Sequence, residues 1–245
     1  MGGATSEGGG SGRRVSGSSI ARMTYFSWLE TKVGAQHALT VGDDGKPVEN
    51  LTPAQHIQRC LEIPDAILAG DVRPTLVYFH WPHDTTANGK LSDTLCDKTL
   101  VDEVAARWGM LFRCVQIDMA TSDKRLMELL EAGDHPSFVV VDKDAKVISR
   151  IAALPSSAKF AKALEESALK IDEVAKLVKE AIEKQAKAMA EAKVLVKADK
   201  LQEALDKVNE VRNSRVRVGP LFDKAQQDGE DINGRIDRAR TKNAK

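Results

Sequence analysis

The sequence predicts an α/β domain in which helices flank a central mixed sheet, preceded by an N-terminal helical extension and followed by a C-terminal α-helical arm. Between residues 73 and 165, short apolar runs rich in β-forming residues alternate with helical patterns, as in sheets that helices cover on their faces. From Ser156 to Val218 there is neither glycine nor proline, and alanine, lysine, glutamate, leucine and valine dominate. That composition is typical of long helices with a solvated face.

The N-terminal part of the chain divides into a leader and a helical extension. Residues 1–19 are predicted to be a flexible leader, because their many glycine and serine residues bury almost no apolar surface. Residues 20–72 are predicted to be helical, since the apolar residues of Ile20–Val33 fall on one face of a short helix. Thr52 and Pro53 then have the residue types of a helix N-cap and a first helical position.

The elements of a small mixed sheet are predicted between residues 73 and 165. The expected strands are Thr75–Phe79, Leu111–Asp118, Ser137–Val141 and Lys146–Ile151, and the expected helices are Leu91–Trp108 and Ser122–Ala132. Asp142–Ala145 has the composition of a turn, so the last two strands are expected to form a hairpin. The resulting order, β-α-β-α-β-β followed by a helix, implies a small mixed sheet with helices on its faces.

Residues 166–245 are predicted to form a helical hairpin or a coiled-coil arm. Their apolar side chains recur along one helical stripe, and a break is expected at Ala198–Lys200. Positions around this break weakly resemble the turn between tetratricopeptide-type helices, namely Leu195, Ala198, Leu201, Ala204, Leu205 and Val208. Only one such unit is visible, whereas a repeat solenoid needs about three. Two alternatives therefore stay open: a hairpin that packs on itself, and a coiled coil that makes the protein a homodimer.

Three segments of the α/β region carry motifs that occur in this order in a known superfamily. Val77–Trp81 has the pattern of a strand that ends in a tryptophan, and Phe112–Asp118 that of a central strand with a terminal aspartate. Asp134–Asp142 has the pattern of a proline loop, a strand and an acidic turn. Over about residues 74–164 the chain thus resembles the thioredoxin-like superfamily. The resemblance implies a cis peptide bond before Pro136 and, beside it, a cleft where a strand edge pairs with an extended peptide.

The redox motif of this superfamily is absent from the chain. In the family, a C-x-x-C follows the tryptophan at the start of a helix, where the helix dipole lowers the pKa of the attacking thiol. Pro82 and Thr85 stand at those two positions here, so dithiol–disulfide chemistry is excluded. The sequence therefore predicts a non-catalytic binding or scaffold protein, whose partner is another protein or an extended peptide. The expected binding cleft comprises Trp81, Pro82, His83, Asp84, Thr85, His135 and Pro136.

Two alternatives to a binding protein remain. Cys96 is the candidate thiol of a single-cysteine redox protein, although a packing role is the favoured interpretation of this residue. His83, Asp84 and His135 would supply nitrogen and oxygen ligands for zinc or another transition metal, if the loops that carry them converge. Hydrogen-bonded polar loop residues are the simpler interpretation of these three side chains. We therefore expect no catalytic residue, metal or cofactor.

Charge and cysteine content limit the kinds of partner and compartment. The chain has 36 basic and 36 acidic residues, so no net charge draws it to nucleic acid or to a membrane. No apolar run approaches the ~20 residues that span a bilayer. Three widely spaced cysteines, Cys60, Cys96 and Cys114, indicate a reducing compartment. A cytoplasmic location is therefore expected, unless residues 1–19 replace a natural export leader.

Overall fold

The computed structural model describes residues 28–30, 51–61, 73–81, 86–120, 122, 124–151 and 156–243. The helices within these ranges are α1 (Pro53–Leu61), α2 (Ala87–Lys98), α3 (Glu103–Gly109), α4 (Lys124–Leu130), α5 (Ser157–Leu169), α6 (Asp172–Lys197), α7 (Leu201–Arg212) and α8 (Pro220–Asn243). The strands are β1 (Trp28–Glu30), β2 (Thr75–His80), β3 (Arg113–Asp118), β4 (Ser137–Val141) and β5 (Val147–Ile151). Together they form a mixed sheet with flanking helices, as the sequence predicts.

The described strands form one sheet in the order β1-β3-β2-β4-β5. β1 and β2 run parallel to β3, whereas β4 is antiparallel to β2 and β5 is antiparallel to β4. In the register of the central strands, Val77 of β2 lies between Val115 of β3 and Val139 of β4. Every residue of β2 except His80 is buried, because helices cover both faces of the sheet. This burial explains why the strand is a continuous apolar run in the sequence.

Alternate side chains of β2 enter two different cores. Leu76 and Tyr78 belong to a core that also contains residues of α2, α3 and α5 and of the start of α6, which we call the arm-side core. Val77 and Phe79 belong to a second core, formed with α1 and α4. The alternation follows from the two-residue period of a strand, which sends successive side chains to opposite faces.

The C-terminal arm consists of α6, α7 and α8, which share a third core. Val208 of α7 and Phe222 of α8 are among the buried residues of this core. Residues 213–219, which connect α7 to α8, return to the α/β part of the molecule. Val216 and Val218 of this connection are buried in the arm-side core. The arm is thus attached to the sheet through the α7–α8 connection as well as through the start of α6.

Two predicted helices differ from the structure. The prediction of a helix over Ile20–Val33 is wrong at Trp28–Glu30, because these residues form an edge strand parallel to β3. Short apolar runs suit a helix and a strand equally well, and pairing with the edge of β3 decides between them here. The single helix expected at Leu91–Trp108 is two helices, α2 and α3. They are separate because Asp102 Oδ1 accepts a hydrogen bond from Ala105 N (2.8 Å) and so caps α3.

Helix α1 begins where the sequence predicts. Thr52 is its N-cap, since Thr52 Oγ1 accepts a hydrogen bond from Gln55 N (3.3 Å), and Pro53 is the first helical residue. Gln55 Oε1 in turn accepts a hydrogen bond from Thr52 N (2.9 Å), which completes a capping box. The predicted leader, residues 1–19, lies outside the described residues, as do residues 62–72 of the extension.

The arm is helical up to Asn243 and breaks where the sequence predicts. Asp199 lies between α6 and α7 with a φ of +59°, a left-handed conformation that ends a helix. The boundary predicted between residues 165 and 166 falls inside α5. In the part of the chain that the structure describes, no helix combines the length and the apolar character that crossing a bilayer requires.

Candidate functional site

The carboxyl end of β2 is held between β3 and α2. His80 ends the strand, and its carbonyl oxygen accepts a hydrogen bond from Met119 N (2.8 Å), just after β3. The next residue, Trp81, donates its backbone N–H to Ser92 Oγ of α2 (2.9 Å). Because Ser92 is buried, water does not compete for this hydrogen bond, which fixes the position of the Trp81 backbone.

The indole ring of Trp81 is half-buried against the core that α1 and α4 form with the sheet. Its Nε1–H is buried and has no hydrogen-bond acceptor among the residues that the structure describes. A buried donor without an acceptor costs about 1–3 kcal/mol relative to a paired one. A bound molecule that brings a carbonyl or carboxylate oxygen to this N–H would therefore be stabilised.

Asn88, in the first turn of α2, binds the loop that precedes β4. Its Nδ2 donates to the carbonyl oxygen of Asp134 (2.9 Å), which leaves Oδ1 to face His135. The distance from Asn88 Oδ1 to His135 Nδ1 is 3.0 Å, and an amide oxygen can only accept a hydrogen bond. His135 Nδ1 therefore carries a hydrogen. In the neutral form of this exposed ring, Nε2 keeps its lone pair and can accept.

The peptide bond between His135 and Pro136 is trans, so the cis bond predicted from the resemblance is wrong. The trans form is the more stable one for X–Pro bonds, and this loop turns by other means. Gly133 has a positive φ of 66°, and Ser137 Oγ donates to the carbonyl oxygen of Ala132 (3.0 Å). These features lead the chain from α4 into β4 without a cis bond.

One face of α2 joins the two described halves of the predicted cleft. Asn88 and Ser92 are four residues apart, hence neighbours on the helix surface, and they hold His135 and Trp81 respectively. We call these four residues, with Asp134, the sheet end. Sequence reasoning misses Asn88 and Ser92, because no local pattern shows their partners, which lie 46 and 11 residues away in the chain. The other predicted cleft residues before α2 lie outside the described residues: Pro82, His83, Asp84 and Thr85.

No disulfide joins the three cysteines, all of which are described. Cys60 and Cys114 are buried in different cores, on opposite faces of the sheet. Burial raises the pKa of the Cys114 thiol to about 12, so at neutral pH this thiol is protonated and a poor nucleophile. Cys96 is half-buried on α2, four residues after Ser92, and lies beside the Tyr78 hydroxyl. Burial raises the pKa of Tyr78, with a further contribution from Cys96, so the phenol stays neutral.

The metal-binding hypothesis stays a prediction. His83 and Asp84 lie outside the described residues, and His135 contacts Asn88 through one of its two nitrogens. Within the described ranges, no three histidine, cysteine, aspartate or glutamate side chains are grouped so that they could share a metal ion.

A second candidate site lies in the arm, between α6, α7 and the connection that follows α7. A cavity of about 320 Å³, which we call the arm groove, opens to the surface there. Its apolar lining includes Leu177, Ala181 and Ala188 of α6 and Val211 of α7. The two alanines are small, and the space that larger side chains would fill is left open.

Gln185 lines the arm groove, although it is only 3 % exposed. Its Nε2 donates to the carbonyl oxygen of Val216 (2.7 Å), which fixes the orientation of the amide group. Its Oε1 is buried and accepts no hydrogen bond from any described residue. Few buried polar atoms in folded proteins stay unpaired in this way. Sequence reasoning misses Gln185, although a glutamine between Ala181 and Ala188 on the buried stripe of a helix is a detectable signal.

A scan against protein-family models, a search of curated proteins and a search of solved structures each found no match for this chain. The functions of the sheet end and of the arm groove are therefore inferred from their own geometry.

Proposed function

We propose that this chain is a non-catalytic, thioredoxin-like binding protein. It holds an extended segment of another protein at the sheet end and assembles with partners through its helical arm. The thioredoxin-like assignment is supported by the order β-α-β-α-β-β-α that starts at β2 if α2 and α3 are counted as one helical connection. It is also supported by three placements, since Trp81 follows β2, Asp118 ends β3 and Pro136 precedes β4. The trans bond before Pro136 is a departure from the pattern of that family.

The unpaired indole N–H of Trp81 is the observation that carries this proposal. The carbonyl oxygens of a peptide backbone can accept such a hydrogen bond. Its N–H groups can donate hydrogen bonds to His135 Nε2. An extended segment supplies both kinds of group at regular spacing, as in other cases of recognition through main-chain hydrogen bonds. Asn88 and Ser92 already fix both recognition residues to one helix, which lowers the entropy that binding would cost.

Peptides selected from a random display library on the native full-length chain provide the test. We expect these peptides to shift the indole N–H resonance of Trp81 in ¹H–¹⁵N NMR spectra. The resonance of Trp108, which is buried in the arm-side core, should stay in place. Failure to select any peptide, or binding that leaves every sheet-end resonance unmoved, would refute the sheet-end proposal.

A Trp81→Phe variant tests the role of the hydrogen bond itself. The substitution keeps an aromatic ring against the core but removes the donor. Selected peptides should therefore bind the variant about 2- to 10-fold more weakly, as expected for the net loss of one hydrogen bond. Unchanged affinity in this variant would show that the indole N–H is not what the peptide recognises.

A single-cysteine redox protein is the second candidate, favoured by the exposure of the thiols. Cys96 is half-buried, whereas Cys60 and Cys114 are buried. Glutathione disulfide should then give a mixed disulfide at Cys96, where the thiolate attacks one sulfur and a glutathione thiolate leaves. Insulin reduction with dithiothreitol should stay at the background rate in the wild type and in Cys96→Ser, because a buried thiol is poorly placed to resolve that mixed disulfide. Faster reduction that the substitution abolishes would contradict the single-cysteine mechanism, because it would show that a second thiol resolves the mixed disulfide at Cys96.

A further inference from the structure

We propose that the arm groove binds the free carboxyl terminus of a partner polypeptide whose last side chain is apolar. This inference rests on the helical-arm part of the proposed function and specifies the kind of partner that the arm takes. Three groups of the partner's last residue correspond to three features of the groove. These groups are the backbone N–H, the apolar side chain and the carboxylate.

Gln185 provides the acceptor for the backbone N–H. Its Oε1 is buried and receives no hydrogen bond from the part of the chain that the structure describes. The amide cannot turn over without giving up the 2.7 Å hydrogen bond from its Nε2 to Val216 O. The unpaired atom therefore remains an oxygen, which selects a ligand with an N–H over one that offers only acceptors.

The size and lining of the cavity fit the end of a chain. About 320 Å³ is at the low end of the range of ~300–1,000 Å³ for ligand pockets, so the groove takes one side chain with its peptide groups rather than a helix. Ala181, Ala188 and Val211 give it an apolar lining. Leu177 also lines it while 50 % exposed, and an apolar ligand side chain would remove part of that surface from water.

Two basic and two acidic residues line the arm groove. Lys184 and Arg215 are exposed lining residues, and neither forms an ion pair with another described residue. Glu210 also lines the groove, but its carboxylate pairs with Lys207 (2.8 Å). Glu180 is the remaining acidic residue of the lining. The inference places the carboxylate of the ligand beside Lys184 and Arg215, because these are the basic residues of the lining. A C-terminal residue combines this anion with an N–H and an apolar side chain in one small unit.

Fluorescence anisotropy of the full-length chain with three labelled peptides tests the inference. The first peptide is Gly-Ser-Gly-Ala-Leu with a free carboxyl terminus, the second is its carboxamide, and the third ends in serine instead of leucine. The carboxamide lacks the charge, and the serine peptide lacks the apolar side chain. We expect the first peptide to bind at least about 10-fold more tightly than either of the others.

Variants of the chain locate the binding. Lys184→Gln should weaken binding of the first peptide about 10-fold and leave that of the carboxamide unchanged. Lys187→Gln, at an exposed lysine of α6 outside the groove, is the matched control and should change neither affinity. Ala181→Leu fills the cavity and should abolish binding of the first peptide. If Ala181→Leu does not fold, the comparison of the two lysine variants still tests whether the carboxylate of the peptide binds in the arm groove.

Several outcomes would overturn the inference. One is that the first peptide does not bind, and another is that it binds no better than its carboxamide. A third is that Trp81→Phe weakens binding and Lys184→Gln does not, which would leave the sheet-end proposal standing. A fourth is self-association that Lys184→Gln reduces in sedimentation velocity, because a second copy of the chain would then occupy the groove.

Discussion

At the scale of single residues, the three cysteine thiols differ in burial and therefore in expected reactivity. Cys60 and Cys114 are buried, whereas Cys96 is half-buried. Because burial also raises the pKa of Cys114 to about 12, its thiolate is scarce at neutral pH. We expect N-ethylmaleimide to modify Cys96 first in the native chain, and all three cysteines only after unfolding in guanidinium, as measured by peptide mass spectrometry. Equal native labelling of Cys96 and Cys114 would contradict this order.

The burial of Tyr78 makes the free energy of unfolding depend on pH. Its pKa is raised above 10.0, first by burial and then by the neighbouring Cys96, so the native phenol stays protonated where an unfolded tyrosine ionises. Above about pH 10 the unfolded chain binds fewer protons than the native one, and stability falls by up to about 1.4 kcal/mol per pH unit for such a group.

Tyr78→Phe removes this contribution, so the variant should lose less stability than the wild type above about pH 10. Below about pH 9 the phenol is protonated in both the native and the unfolded state. The difference in free energy of unfolding between the two proteins should therefore not vary with pH there. Urea unfolding at several pH values between about 8 and 11.5 measures both regimes. If the free energies of unfolding of the two proteins change in parallel over the whole pH range, Tyr78 has the same pKa in the native chain as in the unfolded chain.

The candidate site is only partly predictable from the sequence, because a residue does not reveal partners that are distant in the chain. Trp81 can be predicted, since it follows a recognisable buried strand. Asn88 cannot, because its role depends on the carbonyl of Asp134, 46 residues later. The burial of Gln185 is detectable from its place on the apolar stripe of α6. The orientation of its amide is not, because Val216 sets it from a connection that follows the next helix.

At the scale of elements, helix capping decides where α3 begins. Asp102 Oδ1 accepts a hydrogen bond from Ala105 N (2.8 Å), which pairs one of the backbone N–H groups at the start of this short helix. Asp102→Ala should therefore lower the free energy of unfolding by about 1 kcal/mol, measured by urea denaturation. Asp102→Asn keeps an acceptor oxygen and should cost much less. An equal loss in both variants would indicate that the charge matters rather than the cap.

Strands are more predictable than their pairing in this chain. β2 begins at Thr75 and β4 spans Ser137–Val141, both as the sequence predicts, because a strand buried on both faces is a short apolar run. β1 is not predictable in the same way. Its three residues become a strand by pairing with β3, and Trp28 lies opposite Cys114, far away in the sequence. Local periodicity contains no information on such a partner.

At the scale of the whole molecule, side chains of α3 and α8 tie the arm to the α/β part. Arg107 of α3 pairs with Glu103 (2.6 Å) and with Asp223 of α8, and its guanidinium lies over the ring of Phe222, 4.7 Å from the ring centre. An arginine that contacts two carboxylates and an aromatic ring contributes more to the free energy of unfolding than an isolated surface ion pair does. With Val216 and Val218 buried in the arm-side core, the arm and the sheet are expected to lose structure together.

Val216→Ala should therefore destabilise the sheet as well as the arm. Val216 is buried in the arm-side core, and the loss of two buried carbons with incomplete collapse of the cavity costs about 2 kcal/mol. Hydrogen exchange with mass spectrometry should show faster exchange in β2 and in α6. Val194→Ala, at a side chain that is 66 % exposed, is the matched control and should change neither. If only α6 exchanges faster in Val216→Ala, the arm opens independently of the sheet, and the α7–α8 connection does not couple the two parts.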